Sequence, residues 1–258
     1  MSVPRLIGVI HLAALPGAPH GRLALEDVVA QAVSDAHALV EGGADAAIVE
    51  NFGDAPFAGE EVGPDVVAAM TRIALAIRQT APELPLGVNV LRNDARAALG
   101  IAAATGAAFI RVNILSGAMV TDQGVIAGRA RELLLERRRL GVKIRIFADV
   151  HVKHAMPLGA SDLADAARDT FQRAGADALI VTGSGTGRAF DPDHLARVRA
   201  AVPAAPLLVG SGLDPESARA RGANFDGAIV GTWLHEEADL RRPLDARRVA
   251  AMANALRR

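Results

Sequence analysis

The stretch Lys143–His154, KIRIFADVHVKH, decides how the chain folds. Alternate residues of a β-strand share a face, so Arg145, Phe147, Asp149, His151 and Lys153 point one way and Ile144, Ile146, Ala148, Val150 and Val152 the other. The second set is apolar and needs a covering helix. The first set places a carboxylate, an imidazole and an ammonium at successive same-side positions toward the strand's carboxyl end. Sheet packing does not require that, and such a face belongs to a site. Arg145, deeper in the strand, reads as structural.

Seven further short apolar runs read as strands: Leu6–His11, Ala46–Glu50, Leu86–Leu91, Ala108–Asn113, Ala178–Thr182, Leu207–Gly210 and Ala228–Gly231, with Lys143–His151 as the fifth of the eight. Between them lie amphipathic segments of helical period: Leu25–Glu41, Pro64–Gln79, Ala95–Ala104, Val125–Leu140, Asp162–Ala174, Pro192–Ala201, Pro215–Arg221 and Leu244–Leu256. The alternation is unbroken by any linker and predicts an α/β fold, a single (β/α)8 TIM barrel over residues 1–258 with its active face at the C-terminal ends of the strands. An open, doubly wound sheet gives the same alternation and is the alternative. A weak repeat supports the barrel. Glu41-Gly42-Gly43-Ala44-Asp45, Thr105-Gly106-Ala107, Ala174-Gly175-Ala176-Asp177 and Arg221-Gly222-Ala223-Asn224 each precede an even-numbered strand, where glycine closes the preceding helix in the left-handed conformation. The loops after the strands, notably Phe52–Gly63, Ile114–Gly124, Val152–Ala160 and Gly183–Asp191, are the longer ones and would build the active face.

The composition narrows the function classes. At 258 residues and 51% hydrophobic content the chain buries a large core, and a net charge of −1 recommends neither nucleic acid nor an anionic membrane as partner. The absence of cysteine excludes disulfides and thiol chemistry and fits a cytoplasmic location. The segment after Arg5, LIGVIHLAALPGA, has the outline of a short signal peptide, but His11 interrupts it and it fits a first buried strand. No run reaches the ~20 apolar residues of a membrane-spanning helix, so no membrane anchor is expected.

Strand ends converge in a barrel. They would bring together His11, then Glu50 and Asn51, then Asn89, Arg92 and Asn93, then Arg111 and Asn113, then Asp149, His151 and Lys153, and finally Thr182. Glu50 and Asp149 are the acid/base candidates, because apolar walls raise a carboxylate's proton affinity toward neutrality. His151 and Lys153 join them in the catalytic set, Lys153 in an electrostatic role on an oxyanion or phosphate rather than as a Schiff base, because it falls in the loop two residues past His151. The bland alternative is Arg111 paired with Glu50 or Asp149 as barrel filler. His11, Glu50, Asp149 and His151 could instead ligate a divalent metal, but they lack compact ligand spacing, and no cofactor is expected. Small-residue turns follow the last three strands: Gly183-Ser184-Gly185-Thr186-Gly187, Gly210-Ser211-Gly212 and Gly231-Thr232. These let backbone N–H groups approach an anion, and Asp214-Pro215 would start a helix whose amino end adds positive potential. Tight turns alone are the plainer reading. The single Trp233 reads as core or interface.

Several long motifs carry a resemblance: IGVIHLAALPGAP (7–19), EGGADAAIVENFGDAPF (41–57), GVNVLRND (87–94), FIRVNILSGAMVTDQG (109–124), FADVHVKHAMPLG (147–159) and IVTGSGTG (180–187). Together they resemble the BtpA family, also called BtpA/SgcQ, across nearly the whole chain. The resemblance implies a TIM barrel and leaves the reaction open, since the family takes its name from photosystem I biogenesis while relatives outside photosynthetic organisms sit beside carbohydrate-uptake genes. It supplies no agreed catalytic residues. Many relatives are expected to carry a Lys near Leu234-His235, which this chain lacks. Two readings follow. One is an enzyme, an isomerase, lyase or glycosidic hydrolase, acting on a small phosphorylated sugar or nucleoside. The other is a non-catalytic assembly or regulatory factor with a retained pocket. Association into a homo-oligomer, through the loops Phe52–Gly63 and Ile114–Gly124, is compatible with either.

Overall fold

A computed structural model describes residues 3–152, 154–159, 162–183, 191–221 and 224–257. Its elements run β1 (Leu6–His11), α1 (Leu25–Glu41), β2 (Ala46–Glu50), α2 (Pro64–Thr80), β3 (Leu86–Asn89), α3 (Ala95–Thr105), β4 (Phe109–Val112), β5 (Ala118–Thr121), β6 (Gly124–Ala127), α4 (Ala130–Leu140), β7 (Arg145–Val150), β8 (Ala155–Pro157), α5 (Leu163–Arg168), β9 (Ala178–Val181), α6 (Pro192–Ala201), β10 (Leu207–Val209), α7 (Pro215–Arg221), β11 (Gly227–Val230) and α8 (Ala246–Leu256). Eight of the strands close a parallel barrel in the order β1-β11-β10-β9-β7-β4-β3-β2, and the open-sheet alternative falls with that closure. The chain is a TIM barrel. Its first strand is the apolar run after Arg5, paired on both sides.

The alternation read from the stretch around β7 holds over Arg145–Val150. Phe147 packs inside the barrel with Ile7, Val9, Ile48, Phe109, Ile180 and Ile229, while Ile146, Ala148 and Val150 join the layer between strands and helices. The Phe109 and Phe147 rings stack with centroids 4.7 Å apart. Arg145 lies below them, its guanidinium 5.1 Å from the Phe147 centroid, as a structural residue.

The bottom face is pinned by the repeat. Gly43, Gly106 and Gly175 adopt φ of 74°, 70° and 74°, the left-handed conformation that ends the preceding helix; Gly222 lies outside the described residues. Asp45 and Asp177 of those segments, and Asp226, two residues beyond the fourth, act one strand over. Asp45 Oδ2 accepts the Leu6 N–H that begins β1, Asp177 Oδ2 the Ile146 N–H of β7, and Asp226 Oδ2 the Leu207 N–H of β10, each at 2.8 Å. One turn thus ends a helix and fixes the register of the neighbouring strand.

The top face departs from expectation. The helix expected over Val125–Leu140 starts at Ala130, because Gly124–Ala127 is a strand. The loops Ile114–Gly124 and Val152–Ala160 form a three-stranded antiparallel sheet, with β5 paired to β6 (Val120↔Val125) and to β8 (Val120↔Met156). Met119 and Ile126 face inward onto Ile114 and Val152, a small apolar cluster of their own.

Asp45→Ala removes the acceptor of one backbone N–H and is expected to lower unfolding stability by about 1 kcal/mol, read as a shifted urea midpoint at unchanged slope. An unchanged midpoint would show that the aspartate repeat does not hold the strand register.

Candidate functional site

The barrel mouth is built by register. His11 is paired with Glu50 and Glu50 with Asn89, so the first three strands end in a row of polar side chains. Glu50 is buried, and its Oε2 accepts from Asn89 Nδ2 at 2.5 Å. Across the barrel Arg111, from β4, donates from Nε and Nη2 to the two oxygens of Asp149, on β7, at 3.0 Å each, and Asn113 Nδ2 adds a third bond to Asp149 Oδ2 at 2.9 Å. Burial alone would favour the neutral guanidine. The Asp149 carboxylate, with Glu50, more than offsets that, and Arg111 holds its proton more tightly than in water.

These side chains divide between two cavities. One, of about 190 Å³, has His11, Glu50 and Arg111 on one wall and the turns Gly210-Ser211-Gly212 and Gly231-Thr232-Trp233 on the other. Gly231 is required there, since a Cβ would collide with the His11 ring. The second cavity, of about 470 Å³, lies beneath the three-stranded sheet, with Asn113, Asp149 and His151 on its walls. Glu50 and Asp149, the expected acid/base pair, therefore face different spaces. Asp149 has no accessible side-chain surface (0%), and its two oxygens accept from Arg111 and Asn113. Among the described residues, no three His, Cys, Asp or Glu side chains are grouped closely enough to hold a metal ion.

The whole chain can now be set against known proteins. The model of the BtpA family matches residues 3–258. The chain belongs to the BtpA family. A protein of Pyrococcus horikoshii is 47% identical over 231 residues, which cover 90% of this chain and 87% of that one. The photosystem I biogenesis protein BtpA of Synechocystis is 43% identical over 97% of this chain and 87% of its own length. Among solved structures, 3-hexulose-6-phosphate synthase from Salmonella typhimurium superposes with a TM-score of 0.59 at 16% identity, covering 98% of each chain. Phosphoribosyl anthranilate isomerase from Thermococcus kodakaraensis gives 0.57 at 17%, covering 99% of each. At such identity these two establish a shared fold and nothing finer.

The remaining residues of this BtpA-family protein sort by what they touch. Asn51 accepts the Leu91 N–H at 2.8 Å and donates to Asp54 at 2.9 Å, and Asn93 binds both the N–H and the carbonyl of Ile114. Both fasten one strand-end loop to another. Arg92 lies near the same cluster: burial pulls its proton affinity down while Asp149, Asp122 and Glu50 pull it up. Thr182 is buried next to Gly210, and its hydroxyl has no hydrogen-bond partner among the described residues. The Gly183 N–H donates to Ser211 Oγ at 3.0 Å, so it ties two turns together rather than facing an anion. Lys153, Ser184, Gly185, Thr186 and Gly187 lie outside the described residues.

The amino end of α7 adds little positive potential, because the helix is seven residues long and the Asp214 carboxylate caps it, accepting from Ser217 N–H at 2.8 Å. Trp233 lines the smaller cavity, with the Arg248 guanidinium 4.2 Å from its ring centroid. His151 leaves the strand with φ of 53°, so it does not continue the alternation of β7.

Two outcomes follow from this geometry. Arg111→Met leaves Asp149 charged, buried and unpaired and is expected to cost about 3–5 kcal/mol, most of it recovered in Arg111→Met/Asp149→Leu; urea unfolding of both variants checks this. Burial, with His194 nearby, holds the His151 imidazole below its ordinary proton affinity. The neutral ring therefore contributes stability that is present above about pH 6.5 and is lost as pH falls through the lowered value. His151→Gln is expected to flatten that acid-side loss, measured by unfolding between pH 7 and 5.

Proposed function

We propose that this protein is an enzyme acting on a small phosphorylated molecule of the sugar or nucleoside type. The observation that carries the reading is the smaller cavity, where Glu50, His11 and Arg111 face turns made of glycine, serine and threonine. Small residues let backbone approach an anion closely, and in TIM barrels the turns after the last two strands are a frequent phosphate site. Arg111 sets a fixed positive charge beside them. Glu50, oriented by Asn89, is the group that would exchange a proton with the ligand. Asp149 holds Arg111 in place, and His151 and Asn113 would meet whatever part of the ligand reaches beneath the three-stranded sheet. The names of the two structural neighbours, a hexulose phosphate synthase and a phosphoribosyl anthranilate isomerase, are in keeping with isomerase or lyase chemistry; glycosidic hydrolysis is the third option for a proton-exchanging carboxylate. This reading needs no cofactor, places the protein in the cytoplasm and admits a homo-oligomer. Among the described residues no helix is long and apolar enough to cross a membrane.

The name of the Synechocystis relative supports a second reading, a non-catalytic assembly or regulatory factor that keeps a ligand pocket. Fold does not separate the two; ligand binding and turnover do. Thermal-shift screening against sugar phosphates and nucleotides is expected to give hits, since a ligand at a hundred times its Kd adds about 2.7 kcal/mol. With a hit in hand, Glu50→Gln should abolish turnover while leaving binding within a few fold. Silence across the panel, or turnover that survives Glu50→Gln, would favour the second reading.

A further inference from the structure

His11 also lines another cavity, of about 520 Å³, between α1 and the segment that follows β11. Its volume lies within the roughly 300–1,000 Å³ of small-molecule pockets. Leu12, Val28, Ala32, Phe52, Leu240 and Pro243 give it apolar walls. The His11 and Phe52 rings meet edge to face at 4.9 Å on one side.

Gln31, Ser34, Arg241 and Arg242 also line it, all at exposed positions, and two buried polar residues interrupt the apolar part of the lining. His235 is 2% exposed, and its Nδ1 lies 2.6 Å from the Arg242 carbonyl oxygen. A carbonyl only accepts, so in the neutral ring Nδ1 carries the hydrogen and Nε2 is an acceptor. Nε2 has no hydrogen-bond partner among the described residues. Asp35 sits on the buried stripe of α1 with Val28, Ala32, Ala36 and Leu39, where helical period alone would place an apolar residue. Its Oδ1 accepts from Leu244 N–H at 3.2 Å, and burial raises its proton affinity. The two arginines of the lining are already paired, Arg241 with Asp239 and Arg242 with Glu236 and Glu237. Buried acceptors against apolar walls are costly unless something donates to them.

We propose that this cavity is a binding compartment for a planar ring bearing N–H donors, a nucleobase or an aminoaromatic group, which adjoins the anion corner across His11. Apolar walls with two acceptors suit such a ring better than a polyol, which needs polar partners all round, and the Asp35 carboxyl disfavours a second anion. The compartment's place beside a phosphate rests on the function proposed above; its own chemistry does not.

The test titrates the full chain by calorimetry with inorganic phosphate and, separately, with adenine, guanine, cytosine, uracil and aniline. Gln31→Trp, at an exposed position of α1 on the cavity wall, plugs the compartment without touching the core. Asp35→Asn keeps the shape. At least one ring compound is expected to bind, and both variants should weaken it at least ten-fold while leaving phosphate affinity unchanged. If adenine is the ring that binds, 6-methylpurine, which lacks the exocyclic N–H donors, should bind at least ten-fold more weakly. Phosphate binding with no ring compound bound would overturn the compartment and leave the proposed function standing. Ring binding without phosphate binding would do the reverse. Ring binding indifferent to both substitutions would place the ring elsewhere and sink the proposal.

Discussion

The paired bonds between Arg111 and Asp149 are the constraint on which the barrel mouth depends. Two full charges are enclosed there, with side-chain exposures of 4% and 0%, and enclosing them is tolerable only because both carboxylate oxygens are met by the planar fork of the guanidinium. Arg111 and Asp149 stand on neighbouring strands, β4 and β7, that are paired in parallel. Arg111 is in register with Phe147, so the bond reaches two residues further up β7 and fixes the rotation of both side chains. Asn113 completes it from the end of β4 and, of the two cavities at the mouth, lines the larger alone. Arg111, pinned from one side, presents its charge to the other, where the glycine turns lie.

Much of this was legible before any coordinates. The alternation in KIRIFADVHVKH separates a helix-facing set from a barrel-facing set, and Ile146, Ala148 and Val150 fall on the first while Phe147 and Asp149 fall on the second. The glycine repeat marks the bottom turns, since a left-handed residue after a helix leaves a local signature. The sheet of β5, β6 and β8 left none. It joins residues 118–127 to 155–157 across a helix and a barrel strand, and Val125 and Ile126 also fit the helical period of the segment that follows. Periodicity reports how one segment sits on a core, not which distant segment pairs with it.

For the candidate site, strand-end position indicates which side chains meet, and residue type does not indicate what each one binds. His11, Glu50 and Arg111 reach a common cavity as strand geometry predicts. The asparagines show the limit: at a strand end an amide bound to a substrate and an amide bound to a neighbouring loop look the same in sequence. Asn51 and Asn93 are of the second kind, satisfying backbone groups of Leu91 and Ile114 that would otherwise be buried without partners. Asp149 shows the same limit for charge, because a carboxylate at a strand end reads as a proton carrier in sequence while its bonds to Arg111 show only in the fold. Asp35 did carry a signal, a charged residue in the apolar stripe of α1, but a helix stripe says only that something unusual is buried there.

The sizes of the cavities constrain what a ligand could look like. At about 190 Å³ the space between Glu50, Arg111 and the glycine turns is smaller than a whole small-molecule pocket. It suits an anionic group and the few atoms attached to it, so the rest of any such molecule has to extend into adjoining space. His11 is the residue common to this space and the larger one behind it. Its ring packs between Phe52, His235 and the bare backbone of Gly231. A molecule occupying both spaces would pass the imidazole at the junction between its charged end and its ring. Among the residues at the ends of the strands, His11 is therefore the one whose position bears on both halves of such a ligand, and Glu50, paired with it in register on β2, is the nearest carboxylate in sequence register to that junction.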